Sequence, residues 1–383
     1  MLPLEGITVV TLEHAVAAPF CTRQLVDQGA RVIKVERPGV GDFARAYDSR
    51  VNGLASHFVW TNRSKQSLTL DLKHAAAPDV LVQNLAPGAA ARLGLSYAEL
   101  SAQHPKLIDC DISGYGNNDD QPGPYRDKKA YDLLIQSESG FVAITGTPDE
   151  PSKAGCSIAD IAAGMYAYTG ILNALIERGR TGRGKHLDVS LLESLVEWMS
   201  YPLCYAYQGA APPLRAGAAH ATIYPYGPFA TGDAKVVMLG LQNEREWKIF
   251  CDKVLGQPAL ASDPRFDTNA KRNADRDALR ALITEAFAPL SAAEVVARLD
   301  AAGIANAQVN QMADVWAHAQ LQARGRWSEV ATPASPVPAL LPPGCTEARM
   351  DAVPALGQHS RSVLAGLGFE ATQIEQWAQD GAV

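Results

Sequence analysis

Asp160 stands in Ser157-Ile-Ala-Asp160, at the head of a long run of small and apolar residues. A carboxylate in the first turn of a helix feels the positive end of the helix dipole, which keeps it ionised. With mostly Gly and Ala around it, such a carboxylate is open to act as a nucleophile. The same four residues also fit a variant capping box, with Ser157 as N-cap and Asp160 at the third helical position. The two readings are compatible.

Other segments carry groups suited to anions. Glu36-Arg37-Pro38-Gly39-Val40-Gly41-Asp42 follows an apolar run, where the Arg37 guanidinium can stack on an adenine or pair a phosphate. Its Pro and Gly are equally those of a plain strand-to-loop turn. In Asn84-Leu-Ala-Pro-Gly-Ala-Ala-Ala-Arg92, Pro87 and Gly88 turn the chain into a short helix whose backbone N–H groups can meet an anion. An ordinary helix start with an exposed Arg92 fits as well. Ser113-Gly-Tyr-Gly116 and Lys129-Ala-Tyr-Asp132 flank Pro122, Gly123 and Pro124, and can be simple surface loops. GxGxxG, GxxxxGK[ST] and GxSxG are all missing, so the common dinucleotide, P-loop and serine-nucleophile sites are unsupported. Of the eight dispersed histidines, His220 stands out within the polar and aromatic stretch from Arg215 to Phe229. That stretch falls between two chain regions of different character, a usual place for a substrate pocket.

The elements that must position these groups follow from hydrophobic patterning. Strands are expected at Ile7–Leu12, Arg31–Glu36, Ser67–Leu72, Asp79–Asn84, Lys106–Ser113 and Lys185–Val189. Helices are expected at Pro19–Ala30, after the capping box Ser96-Tyr-Ala-Glu99, at Ser157–Arg178 and at Leu191–Tyr205. This β-α alternation implies a mostly parallel sheet, whose ligands bind beyond the carboxyl ends of the strands. The Ala-, Pro- and Gly-rich 208–228 and the Pro-rich 331–343 read as linkers around a smaller α+β domain at 229–330. That domain has a strand at Lys235–Gly240 and helices at Glu244–Leu255, Arg276–Ala286 and Ala292–Ala302, the last behind Ser291 as N-cap. Residues 1–207 and 344–383 then form the large domain.

The 383 residues are 47% apolar and 20% charged, with a net charge of −7. That balance lacks the basic field a nucleic-acid partner requires. The N-terminus has neither a basic nor an apolar signal region, and no run of about 18 apolar residues offers a membrane span. Six single cysteines without zinc spacing point to reduced thiols, no metal and a cytoplasmic location.

Taken in order, these segments resemble the class III (CaiB/BaiF) CoA-transferases, from Leu4-Glu-Gly-Ile to Leu356-Gly-Gln-His. The stretches that carry the resemblance are Asp27-Gln-Gly-Ala-Arg-Val-Ile-Lys-Val-Glu-Arg-Pro-Gly, Val82-Gln-Asn-Leu-Ala-Pro-Gly, Ile158-Ala-Asp-Ile-Ala-Ala-Gly and Arg180-Thr-Gly-Arg-Gly-Lys. The resemblance implies a Rossmann-like CoA-binding large domain, a small middle domain and a homodimer of interlocked rings. It implies Asp160 as nucleophile, with acyl-aspartyl anhydride and aspartyl-CoA intermediates. Arg37, Lys73, Asn84, Leu85, Arg92 and Lys129 would lie along the CoA, with Ala15, Val16 and Ala17 in the loop over the thioester. CoA thioester enters as substrate, and no tightly bound cofactor is implied.

The 215–229 stretch is similar to members acting on mesaconate, itaconate or citramalate, with succinyl-CoA as a donor. Tyr131, Arg215, His220 and Tyr224 are then candidates for holding the acid. α-Methylacyl-CoA racemases share the family fold but carry His-Asp where this chain has Tyr131-Asp132, and a phenol of pKa ~10 poorly replaces an imidazole of ~6.5. A non-catalytic CoA-binding protein is the third reading, and the presence of Asp160 argues against it. Between Lys73 and Asp79 the family carries a helix, whereas only His74–Pro78 intervenes here.

Overall fold

Runs rich in Val, Ile and Leu, too short for helices, become six parallel strands: β1 Thr8–Leu12, β2 Arg31–Glu36, β3 Gln66–Thr69, β4 Val80–Gln83, β5 Ile108–Ser113 and β6 His186–Ser190. The computed structural model describes residues 1–70 and 78–383. Lys73, the far end of the expected third strand and nearly all of the shortened 74–78 connection lie outside the described residues. The strand order is β3-β2-β1-β4-β5-β6. The order therefore reverses between β1 and β4, and the loops after these two strands flank the switch point where such sheets receive ligands.

Successive strand residues face opposite sides. Leu12, Ile33, Val35, Leu68, Leu81 and Leu107 share a core with Val363, Leu364 and Ile374 of the C-terminal helices Ser360–Gly366 and Ala371–Gln379. The alternate residues Val9, Val32, Val80, Val82, Ile108 and Cys110 are buried too. Two helices contact the sheet there: α1 Ala17–Asp27 meets β2 and β4, while the 24-residue helix Ile158–Thr181 meets β5 and β6. We label the latter α3, reserving α2 for Asp132–Glu138. Its small residues Ala159, Ala162, Ala163, Gly164 and Ala167 are buried, and α3 packs on α1. The tail motif closes an edge. Ser67 donates its N–H to His359 Nδ1 (3.2 Å) and its carbonyl accepts from His359 N–H (3.0 Å), while Thr69 N–H donates to Ser360 Oγ (3.0 Å). These bonds occupy backbone groups that an edge strand otherwise leaves open.

The expected helix over Leu191–Tyr205 is two, Leu191–Trp198 and Ser200–Tyr205. Pro202 supplies the reason, since its ring clashes with the carbonyl four residues earlier, at Trp198.

The chain divides into two compact units, one of residues 1–140, 154–200 and 320–383, the other of 141–153 and 201–319. The second holds an antiparallel sheet of β7 Tyr226–Ala230, β8 Val236–Gly240 and β9 Ala305–Gln308. Its core includes Phe229, Trp247, Phe250, Phe266 and Phe287. Ser291 and Glu294 form a full capping box at the head of Ala292–Ala302. The first unit contributes the α/β fold with its six-stranded parallel sheet.

Two glycines of α3 test this packing. A Cβ on Gly164 would stand 2.7 Å from the Ala17 carbonyl oxygen and 3.0 Å from Phe20, whereas one on Gly170 would meet Leu187 at 3.5 Å. Overpacking costs ~1–3 kcal/mol against a helix-propensity gain of up to ~1. Gly164→Ala is therefore expected to lower the urea midpoint, and Gly170→Ala to hold or raise it.

Candidate active site

Asp160 occupies the first turn of α3, but the expected capping box does not form. Ser157 is the N-cap residue and makes no side-chain cap bond. The cap comes from Asp132, the first residue of α2, whose Oδ1 accepts from the N–H of Ala159 (2.8 Å) and Asp160 (3.4 Å). Asp132 Oδ2 accepts from Gln136 Nε2 at 2.6 Å, and Gln136 Oε1 accepts from Ala154 N–H at 2.9 Å. A carboxylate from another helix has taken the donors that the helix N-terminus offers.

The charge state of Asp160 changes accordingly. Burial, reinforced by the negative charge of Asp132, pushes its carboxyl up to about 7. The expectation that the helix end keeps it ionised is corrected: desolvation disfavours the charged form, and the nearest carboxylate repels it. When deprotonated, such a carboxylate is more basic than an ordinary one, as suits a nucleophile.

Among the described residues, the other predicted residues of this unit lie in loops beyond the carboxyl ends of the strands. After β1, Ala15 takes a left-handed backbone (φ 61°), and Val16 and Ala17 lead into α1. Gly164 of α3 sits against the Ala17 carbonyl, and Asp160 lies one turn earlier, about 5–6 Å along the axis. After β2, Arg37 is exposed. After β4, Asn84 exchanges two hydrogen bonds with the His14 backbone, each 2.9 Å. Its amide thus shapes the loop across the switch point. Leu85 N–H is held by Gln83 Oε1 at 2.7 Å, and Arg92 is exposed, ending a single turn whose guanidinium lies near Gly88. After β5, Ala130 fills the space a side chain on Gly114 would need, which keeps Lys129 and Tyr131, both exposed, near the strand end. Tyr47, which sequence reasoning missed, joins this neighbourhood. Burial and then the charges of Asp42 and Asp160 and the Tyr131 phenol push its hydroxyl up.

Three predicted acid-binding residues lie in the second unit. Tyr224 is 1% exposed, and its ring belongs to that unit's core. Arg215 spends its guanidinium on the carbonyls of Thr147 (2.9 Å), Ala143 (3.2 Å) and Pro148 (2.8 Å), so it clamps a loop. His220 stacks on Tyr226 and its Nδ1 accepts from the N–H of Thr222 and Ile223, an arrangement that organises the local turn. Among the described residues, Asp109, Asp111 and His186 bring metal-ligand atom types within 4.8 Å, with His186 Nδ1 hydrogen-bonded to Asp109 at 2.9 Å.

The family model described as CoA-transferase family III matches residues 4–360. The chain belongs to this family. It is an enzyme of the CoA-transferase class. It is 33% identical to the succinyl-CoA:glutarate CoA-transferase of Mus musculus, over all of this chain and 91% of the relative. It is 37% identical to the acetyl-CoA:oxalate CoA-transferase of Acetobacter aceti, over 79% of each. Among solved structures, a CaiB/BaiF family protein from Brucella suis superposes with a TM-score of 0.81 at 33% identity, covering 96% of this chain and 99% of that one.

In this family III transferase the raised carboxyl predicts a pH signature of stability. Unfolded, Asp160 titrates near ~3.9; folded, near about 7. Between those values the folded state holds a proton that the unfolded state has lost, so this group lowers stability as pH rises through that window. Asp160→Asn is expected to melt with the parent near pH 4 and above it at pH 8, by calorimetry. Equal melting temperatures at both pH values would contradict the raised pKa.

Proposed function

We propose that this enzyme transfers CoA from an acyl-CoA to a short dicarboxylate, with Asp160 as the covalent nucleophile. The observation that carries the reading is the half-buried Asp160 carboxyl, with its proton affinity raised, one turn of α3 from the loop at the switch point. The Asp160 carboxylate attacks the thioester carbonyl and expels CoA thiolate, giving an acyl-aspartyl anhydride. The thiolate attacks the aspartyl carbonyl and releases the first acid, leaving aspartyl-CoA. The acceptor carboxylate then attacks that thioester, forming a new anhydride, and the returning thiolate takes the acceptor's acyl group and frees Asp160. Each step exchanges one acyl bond for another, so carboxylate and thiolate suffice and no tightly bound cofactor is required.

In this reading CoA runs over Arg37, Lys73, Leu85, Arg92 and Lys129, with Asn84 holding the 15–17 loop over the thioester. Backbone N–H groups are the available oxyanion donors. Tyr131, beside Asp132 and 67% exposed, is the proposed contact to the acid. The dicarboxylate class follows the named acids of the two relatives, glutarate and oxalate; mesaconate, itaconate, citramalate and succinate share their paired carboxylates. Tyr131 in place of a histidine base disfavours racemisation.

We also propose a homodimer of interlocked rings. Leu133, Leu134, Ile176 and Trp198 are all more than two-fifths exposed, an apolar load that a partner would cover. Six free cysteines suit the reducing cytoplasm.

Purified protein is incubated with succinyl-CoA and, separately, glutarate, oxalate, mesaconate, itaconate, citramalate, malate and acetate. Mass spectrometry is expected to show a new CoA thioester with at least one dicarboxylate and none with Asp160→Asn. Deuterium uptake at the α-carbon of a branched acyl-CoA, without transfer, would sink this reading.

A further inference from the structure

Beneath the loop after β1 lies a set of charges that the reaction does not use. Glu13 Oε1 accepts from Lys65 Nζ (2.6 Å) and Lys34 Nζ (3.4 Å), and its Oε2 accepts from the hydroxyls of Thr11 (2.8 Å) and Thr22 (2.6 Å). Lys34 also donates to Asp42 Oδ2 at 2.7 Å, and Lys65 to the Pro19 carbonyl at 3.0 Å. The side chains of Glu13, Lys34, Lys65 and Asp42 are fully buried. Such a quartet is a costly way to fill space, since apolar groups of the same volume often do as well or better. It offers directed bonds, and those bonds reach the loop. Asp42 Oδ1 accepts from Ala15 N–H at 3.2 Å and from Ala44 N–H at 2.9 Å, and lies 3.6 Å from His14 Nδ1. Lys65 holds the first turn of α1 just beyond the loop. Ala15 is left-handed, a conformation an L-residue keeps only when its surroundings impose it.

We propose that Asp42, paired with Lys34, is a positioning residue for CoA transfer: it locks the left-handed Ala15 and so fixes the 15–17 loop over the thioester. The inference rests on the reading above, in which this loop covers the reacting carbonyl. Asp42 touches no reacting atom and acts on the loop through the Ala15 backbone.

Asp42→Asn keeps the shape but removes the charge that holds Lys34. The expected result is faster hydrogen exchange at the Ala15 and Val16 amides and a fall in kcat of about 10- to 100-fold, as for a slightly misplaced reactant. Free CoA, which has no acyl carbonyl, should bind as in the parent. Adding Ala15→Gly, for which the left-handed conformation is free of steric cost, should recover part of the lost kcat in a double-mutant cycle. Unchanged exchange would overturn the positioning role, as would a double variant no faster than Asp42→Asn. Faster exchange with unchanged kcat would show that the loop is positioned but does not serve the thioester, which overturns the reading beneath the proposal. Should Asp42→Asn not fold, Lys34→Met and Ala15→Val carry the same readouts with the same expected directions.

Discussion

A helix N-terminus offers a handful of free N–H groups, and at the head of α3 Asp132 has claimed them. Its carboxylate takes the Ala159 and Asp160 amides, while Gln136 holds its other oxygen and reaches back to Ala154. This fastens α2 to α3 and the preceding loop to both. It also decides the chemistry of Asp160, which is left with a negative neighbour in place of the donors its own sequence position promised. Two carboxylates this close in a half-buried corner cannot both be comfortably ionised, and the proton affinity of Asp160 rises in consequence.

The sheet supplies the rest of the frame. Its strand order puts the reversal between β1 and β4, and there Asn84 stitches the loop after β4 to the loop after β1 through both polar groups of His14. Below that stitch the lysines and carboxylates of the buried quartet neutralise one another, two of each sign. Burial pushes the Glu13 carboxyl up, but the charges of Lys65 and Lys34 outweigh that cost and hold it low on balance. The small residues of α3 then matter for a geometric reason. Without a side chain at Gly164, α3 can approach the Ala17 carbonyl, which brings the turn carrying Asp160 to the loop at the switch point.

Most of the fold was legible because parallel strands announce themselves as short apolar runs. Five of the expected strands fall within two residues of their described ends, and the third falls partly outside the described residues. Helix starts were legible where the cap is local: Ser96 and Ser291 both accept from the N–H three residues on. The cap of α3 was not, because its carboxylate stands 27 residues upstream, and spacing rules see only neighbours. The buried quartet left one unread signal: Lys34 interrupts Val32, Ile33 and Val35 in a strand enclosed on both faces, and a lysine there must have a partner. Arg215, His220 and Tyr224 show where loop composition is ambiguous. Polar and aromatic residues in a loop suggest a pocket, but backbone carbonyls and a core can use the same groups.

The position of Asp160 has a consequence for the proposed chemistry that its proton affinity makes visible. Burial and Asp132 raise its pKa by opposing the carboxylate anion, and the same forces favour any neutral derivative of that carboxylate. An acyl-aspartyl anhydride and an aspartyl-CoA thioester are both neutral at this carboxyl, so both gain relative to the free anion. The mixed anhydride then has two unequal leaving groups. Thiolate attack on the aspartyl carbonyl expels the donor's acid, an ordinary carboxylate of pKa ~4.3, whereas attack on the acyl carbonyl must expel the disfavoured Asp160 anion. The first path is the easier, and it leads forward to aspartyl-CoA with release of the first acid. In the proposed mechanism a second carboxylate beside Asp160, which looks like a handicap for a reaction begun by an anion, would therefore bias the enzyme toward keeping CoA on the protein until an acceptor arrives.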